Sequence, residues 1–185
     1  MREYLLFAGV NGAGKSTLYQ TMAEELADMP RVNIDEIVRS LGDWRNLKDV
    51  IEAGKLAIKL IDNCFEQGKS FNQETTLCGA GIIKNIHRAK DLGYRVDLHY
   101  VGVESVEIAK ERVNQRVLKG GHGIPEKDVE RRYMESLKKL QEVIPICDNV
   151  VLYDNTEVFV RVAIYRKGIL LWAKDELPVW YQKLI

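Results

Sequence analysis

The sequence predicts an α/β fold: a doubly wound, mostly parallel five-stranded sheet with helices on both faces, a helical lid and a C-terminal β-hairpin. Three observations predict it. Strand-like apolar runs alternate with segments of helical apolar spacing, which is the pattern of a parallel sheet built from crossovers. The first run leads directly into a glycine-rich turn followed by a helix. After the fifth run the spacing switches to strict alternation around a Lys-Gly pair suited to a tight turn.

Taken in order, "EYLLFA", "RVNI", "SFNQE", "YRVDLHYVGV" and "NVVLY" are the five strand candidates. Between the second and third, Val50, Gly54, Ala57, Ile61 and Phe65 trace one face of a helix that "EQGKS" ends. A second such face runs through Val129, Tyr133, Leu137, Leu140 and Ile144. The segment "VFVRVAIYRKGILLW" carries Lys167-Gly168 at its turn and predicts an antiparallel hairpin, and the tail from Pro178 predicts a short capping helix. Residues 1–185 form one predicted domain, with the lid at about 112–132 and the hairpin and tail at about 158–185.

Lys plus Arg equals Asp plus Glu at 27 each, so no global field draws the chain to nucleic acid or acidic lipid, and neither is an expected partner. The apolar run of "MREYLLFAG" is too brief for a signal peptide, and no stretch approaches the ~20 apolar residues of a membrane span, so the expected location is cytoplasmic. Cys64, Cys78 and Cys147 are odd in number and form no CxxC, which predicts reduced cysteines without a metal or disulfide role.

"GVNGAGKST" places Gly9, Gly14, Lys15 and Ser16 at the spacing of a phosphate-binding loop between a strand and a helix. Loop backbone N–H groups turn inward, Lys15 reaches the β- and γ-phosphates, and the Ser16 hydroxyl ligates Mg²⁺. The expected nucleotide set is therefore Gly9, Asn11, Gly12, Ala13, Gly14, Lys15, Ser16 and Thr17, with ATP and Mg²⁺ as cofactors. No N/T-K-x-D tetrapeptide reads a guanine base, and 185 residues cannot hold the partner modules of a large motor. A small kinase fits best, and a nucleotide-dependent binding module is the competing class.

Ligands of a doubly wound sheet bind beyond the carboxyl ends of its strands. "NIDE" ends the second strand with Asp35, and "NQETTL" ends the third with Glu74, Thr75 and Thr76, so both clusters should face the loop's crevice. A kinase needs a carboxylate to orient the acceptor hydroxyl and take its proton. The structural alternatives are a helix N-cap for Asp35, a surface acid for Glu74 and a cap for Thr75.

"AKERVNQRVLKGGHGIPEKDVERRY" places Arg112 and Arg116 four apart on one helix, breaks at Gly120-Gly121 and restarts at Pro125. Such a connection between arginine-bearing helices suits a lid over phosphates. Helical angles put Arg132 beside the stripe of Val129 and point Arg131 away; Arg116 sits next to Val113 and Val117. Solvated pairing with Glu107, Glu111 or Glu130 is the alternative for these arginines. His122 is open between a phosphate contact and loop decoration.

"GVNGAGKST", "NIDE", "QETT" and "RVNQRV…GGHGIP…RRY", spanning roughly residues 1 to 140 in order, together resemble the zeta toxin family of P-loop kinases, whose better-known members phosphorylate the sugar 3′-hydroxyl of UDP-N-acetylglucosamine with ATP. The resemblance implies Asp35 as general base, Glu74 and Thr76 as acceptor-sugar contacts, and Lys15 with the basic segment as the transition-state clamp. Arg116 and Arg132 are its catalytic arginines here, and Arg112 is assigned to the substrate. A UDP-sugar and an antitoxin protein are the partners it implies. The "GGHGIP" lid departs from the arginine-bearing stretch of the prototype toxins, which leaves room for another acceptor or for a housekeeping kinase.

Overall fold

A computed structural model describes residues 1–184. The strands are β1 (Glu3–Ala8), β2 (Arg31–Asn33), β3 (Phe71–Thr75), β4 (Arg95–Gly102), β5 (Asn149–Asp154), β6 (Val160–Arg166) and β7 (Ile169–Ala173). The helices are α1 (Lys15–Thr21), α2 (Ile34–Leu41), α3 (Leu47–Glu66), α4 (Gly81–Asp91), α5 (Val106–Leu118), α6 (Glu126–Val143) and α7 (Val179–Gln182).

The near-continuous apolar run of β1 follows from its place in the middle of the sheet, where both faces are covered. Tyr4, Leu6 and Ala8 enter one core with Ala57, Ile61 and Phe65 of α3 and Ile82 and Ile86 of α4. Leu5 and Phe7 enter the other, with Leu18 of α1, Val113 of α5 and Val129 and Tyr133 of α6. Each fully buried side chain of this size contributes about 1.5–3 kcal/mol relative to exposure.

The strand order is β2-β3-β1-β4-β5-β6-β7, parallel from β2 to β5 and antiparallel at β5–β6 and β6–β7. The five expected parallel strands are joined in the same sheet by the hairpin, so the sheet has seven strands. The open edge of β5 has unpaired backbone groups, and the hairpin satisfies them by continuing the ladder. Lys167 and Gly168 form its turn at φ 49° and 77°, the sign that a type I′ turn demands at both central residues. Past it, Trp180 on α7 is fully buried, with its Nε1 donating to Asp154 Oδ1 at 2.8 Å.

Two local readings change. The cap of α2 is Asn33, whose Oδ1 accepts from the N–H groups of Asp35 (2.9 Å) and Glu36 (3.4 Å), so β2 ends one residue early and Asp35 lies inside the helix. On α3, Ala53, Ala57, Ile61, Cys64 and Phe65 are the buried positions, while Val50 and Gly54 border a cavity. Among the described residues no helix is long and apolar enough to cross a membrane.

Candidate active site

The crossover from β3 past β1 to β4 leaves the carboxyl end of β1 at the point where the strand order reverses, which is where α/β sheets hold ligands. The glycine-rich loop is packed hard there. Gly12 and Gly14 have φ of 82° and 108°, and a Cβ on either would run into the Ala109 carbonyl or the Asn155 amide. Asn155 Nδ2 donates to the Ala13 carbonyl at 2.8 Å, and Lys15 Nζ donates to the Val10 carbonyl at 3.1 Å. Lys15 is 7% exposed, and burial pushes its ammonium below the usual lysine range. Glu74 and Asp35 oppose that fall, whereas Arg116 and Arg132 add to it.

Register brings the other residues to this end. β1 pairs Phe7 with Glu74, and β2 pairs Asn33 with Glu74, so one level of the sheet carries Asn33 and Glu74 beside the strand that feeds the loop. Glu74 is a hub: its carboxylate accepts from Arg31 Nη2 at 2.7 Å, Asn33 Nδ2 at 3.1 Å and Ser16 Oγ at 3.0 Å, with Lys15 Nζ at 4.0 Å. Expected as an acceptor contact, Glu74 therefore has its side chain committed to the loop's own Ser16 and Lys15. Thr75 Oγ1 accepts from the Leu77 N–H at 3.0 Å, while Thr76 lines the cavity.

Asp35 and Thr76 border one cavity of about 980 Å³ together with Lys15, Glu74, Asn11, Trp44, His122 and Arg132. Val50, Gly54, Ala57, Ile58 and Ile61 of α3 and Ile82 of α4 form an apolar wall away from the loop. His122 lies against the helix that carries Asp35: its Nε2 is 3.2 Å from Asp35 Oδ1, and its side chain is 9% exposed. Burial pushes the imidazole below its usual value, helped by Arg116, Arg39 and Arg132 and opposed by Asp35.

The four arginines differ in what they touch. Arg132 Nη1 donates to Asn11 Oδ1 in the loop at 3.1 Å, whereas Arg131, which also lines the cavity, is paired with Asp128 at 3.1 Å and Glu135 at 2.9 Å. Arg116 is beside Lys15 and His122, and its Nε and Nη2 are buried without a hydrogen-bond partner among the described residues. Arg112 departs from its assignment to the substrate. Its Nη1 and Nη2 donate to the carbonyls of Asn155 (2.7 Å) and Thr156 (2.9 Å), so it braces the turn that in turn holds the loop.

Sequence reasoning passed over Arg31, Asn33, Asn155 and Trp44. Asn33 had a local signal, since an Asn followed three residues later by Glu36 is a helix-start pattern. Arg31 had none: its guanidinium joins Glu74 and Glu36 and covers the Tyr19 ring at 3.5 Å, contacts made across three elements.

Comparison with known proteins agrees with this architecture. The zeta toxin family model matches residues 2–169. An uncharacterized protein of Haemophilus influenzae is 35% identical over 129 residues, covering 70% of this chain and 91% of its own length. Among solved structures, a chain of the AvrRxo1-ORF1:-ORF2 crystal structure with ATP matches all of this chain at 19% identity and a TM-score of 0.77, and this chain spans 63% of its length. A chain of the PezAT chromosomal toxin–antitoxin system of Streptococcus pneumoniae matches all of this chain and 78% of its own length, at 16% identity and a TM-score of 0.61. At such identities the structural likeness is one of fold.

Proposed function

The chain belongs to the zeta toxin family, and from that premise we propose that it is an ATP- and Mg²⁺-dependent kinase that transfers the γ-phosphoryl group to a hydroxyl of a small metabolite. The acceptor that the family implies is a UDP-amino-sugar such as UDP-N-acetylglucosamine. One observation carries the reading: a single cavity joins the phosphate-loop cation Lys15 to the carboxylate of Asp35, with room beyond them for a metabolite. A binding module would need the first and not the second.

In this reading Asp35 orients the acceptor hydroxyl and accepts its proton as the acceptor oxygen bonds to the γ-phosphorus, and the bond from that phosphorus to the ADP oxygen breaks. Lys15, Arg116 and Arg132 offset the charge that spreads over the transferring group. The unpartnered Arg116 nitrogens are donors in want of an anion. The hard oxygen donors Ser16 Oγ and Glu74, 3.0 Å apart, suit Mg²⁺, with Ser16 as ligand and Glu74 holding it from behind. When bound, the ion supplies charge neutralisation at the β- and γ-phosphate oxygens.

The experiment is phosphoryl transfer from Mg-ATP to a panel of UDP-sugars, nucleosides and 5′-hydroxyl oligonucleotides. Transfer to UDP-N-acetylglucosamine is expected. Transfer to another hydroxyl metabolite instead would replace the acceptor, and binding of ATP with transfer to none would favour the binding module. The toxin role, with an antitoxin partner, is part of the same proposal. It predicts growth arrest on induction of the wild-type chain, relieved in the Asp35→Asn variant.

A further inference from the structure

The roof of the cavity and its carboxylate are in polar contact, with His122 Nε2 3.2 Å from Asp35 Oδ1. His122 sits in the connection between α5, which carries Arg116, and α6, which carries Arg132. That connection is pressed onto the segment following α2: a Cβ on Gly123 would lie 2.7 Å from the Trp44 ring, and the Trp44 and His122 rings are 5.9 Å apart. The charged groups facing the imidazole are Asp35 and Arg39 from α2, Arg116 from α5 and Arg132 from α6. Three cations against one carboxylate, in a nearly dry place, favour a neutral ring. With Nε2 3.2 Å from Asp35 Oδ1, the tautomer that carries its proton on Nε2 has a donor within reach of that oxygen, which leaves Oδ2 to receive a hydroxyl.

From this geometry we infer that His122 is a positioning residue, fixing the Asp35 carboxylate from the lid so that the base is oriented only when α5 and α6 bring Arg116 and Arg132 over the loop. A carboxylate at the start of a helix otherwise has free rotamers, and a base off its line to the hydroxyl loses rate steeply. Coupling the two ends of the site through one side chain makes phosphate clamping and hydroxyl activation a single event. The consequence for catalysis rests on the kinase reading above; the His122–Asp35 coupling does not.

The test therefore has two arms. In nucleotide-free protein, amide hydrogen exchange of residues 119–124 is compared in wild type, His122→Ala, Asp35→Ala and the double variant. Each single variant should exchange about tenfold faster, the factor for losing one hydrogen bond to a charged group, and the double variant no faster than either. Asp35→Asn, whose amide oxygen still accepts from Nε2, should stay near wild type. Unchanged exchange in Asp35→Ala, or fully additive effects, would overturn the coupling. In the second arm, on the acceptor found with the panel above, His122→Ala should lower kcat with the KM for ATP unchanged, and His122→Gln should restore part of it. An equal kcat in His122→Ala and wild type, or a fall in kcat matched by a rise in the KM for ATP, would overturn the positioning role. Should wild type phosphorylate nothing in the panel, the kinase reading fails, and the exchange arm still decides whether His122 and Asp35 act as a pair.

Discussion

Arg116 should respond to substitution in two opposite directions, and Arg116→Met separates them. Among the described residues its Nε and Nη2 are buried without a hydrogen-bond partner. A buried donor left unsatisfied costs about 1–3 kcal/mol. Methionine removes both nitrogens and keeps most of the stem, whose Cγ packs against Gly121, so the packing lost is about 1 kcal/mol. Repulsion with Lys15 is also relieved, since Arg116 is one of the groups that depress the Lys15 ammonium. The net expectation is a nucleotide-free protein more stable by about 1–3 kcal/mol, which for a chain of 185 residues raises the thermal midpoint by about 2–12 °C. Phosphoryl transfer should move the other way, falling by about 10³–10⁵ as a charge-stabilising arginine is lost, and the midpoint rise on adding Mg-ATP should shrink. The assay is a thermal melt of wild type and variant with and without Mg-ATP, paired with the transfer rate. A lower nucleotide-free midpoint together with an intact ATP response and intact turnover would show Arg116 to be a structural residue.

Asp35→Asn should lower transfer by about 10²–10⁴ while ATP binding and the thermal midpoint stay near wild type, because Asn33 and not Asp35 caps α2; retained turnover would remove the base from the mechanism. Arg132→Ala should slow transfer more than Arg131→Ala, since Arg132 alone reaches Asn11, and equal effects in the two variants would count against the loop contact. Glu74→Gln should destabilise the fold by about 1–3 kcal/mol, as Arg31 keeps Glu36 but loses its stronger partner. It should also raise the Mg²⁺ concentration needed for ATP-induced stabilisation; an unchanged Mg²⁺ requirement with a weakened acceptor would return Glu74 to the acceptor site. His99, stacked between Phe7 and Tyr153, is held neutral by burial, with its pKa lowered from 6.5 to about 4. The folded state then refuses a proton that the unfolded chain accepts, so the stability present above about pH 6.5 is lost as the pH falls towards about 4, by about 3 kcal/mol. Melts of wild type and His99→Phe across that window should diverge by this amount, and parallel curves would refute the cause.

The sequence by itself determined whatever depends on short-range geometry. Loop spacing, the strand before it and the helix after it are set by neighbours within a few residues, so Gly14, Lys15 and Ser16 were legible as a phosphate loop. The phase of α6 was legible for the same reason, because a rotation of about 100° per residue separates Arg132 from Arg131 whatever the helix packs against. The identity of the residues past β2 and β3 was readable too, since strand ends precede polar segments.

What those residues touch was decided only by the tertiary structure. Strand order puts β3 between β2 and β1, and that adjacency brings Glu74, on the cavity's lining, against Ser16, Lys15 and Arg31. Arg112 shares a helix face with Arg116, yet the turn after β5 lies within its reach, so one guanidinium is tied to carbonyls while Nε and Nη2 of the other have no partner among the described residues. His122 meets Asp35 across a separation of 87 positions in the sequence because the α5–α6 connection folds back over α2. The same long-range pairing made the hairpin part of the main sheet. A side chain's partner is set by which elements become neighbours, and that follows from burying two faces of one sheet at once, a condition on the whole chain that no local stretch contains.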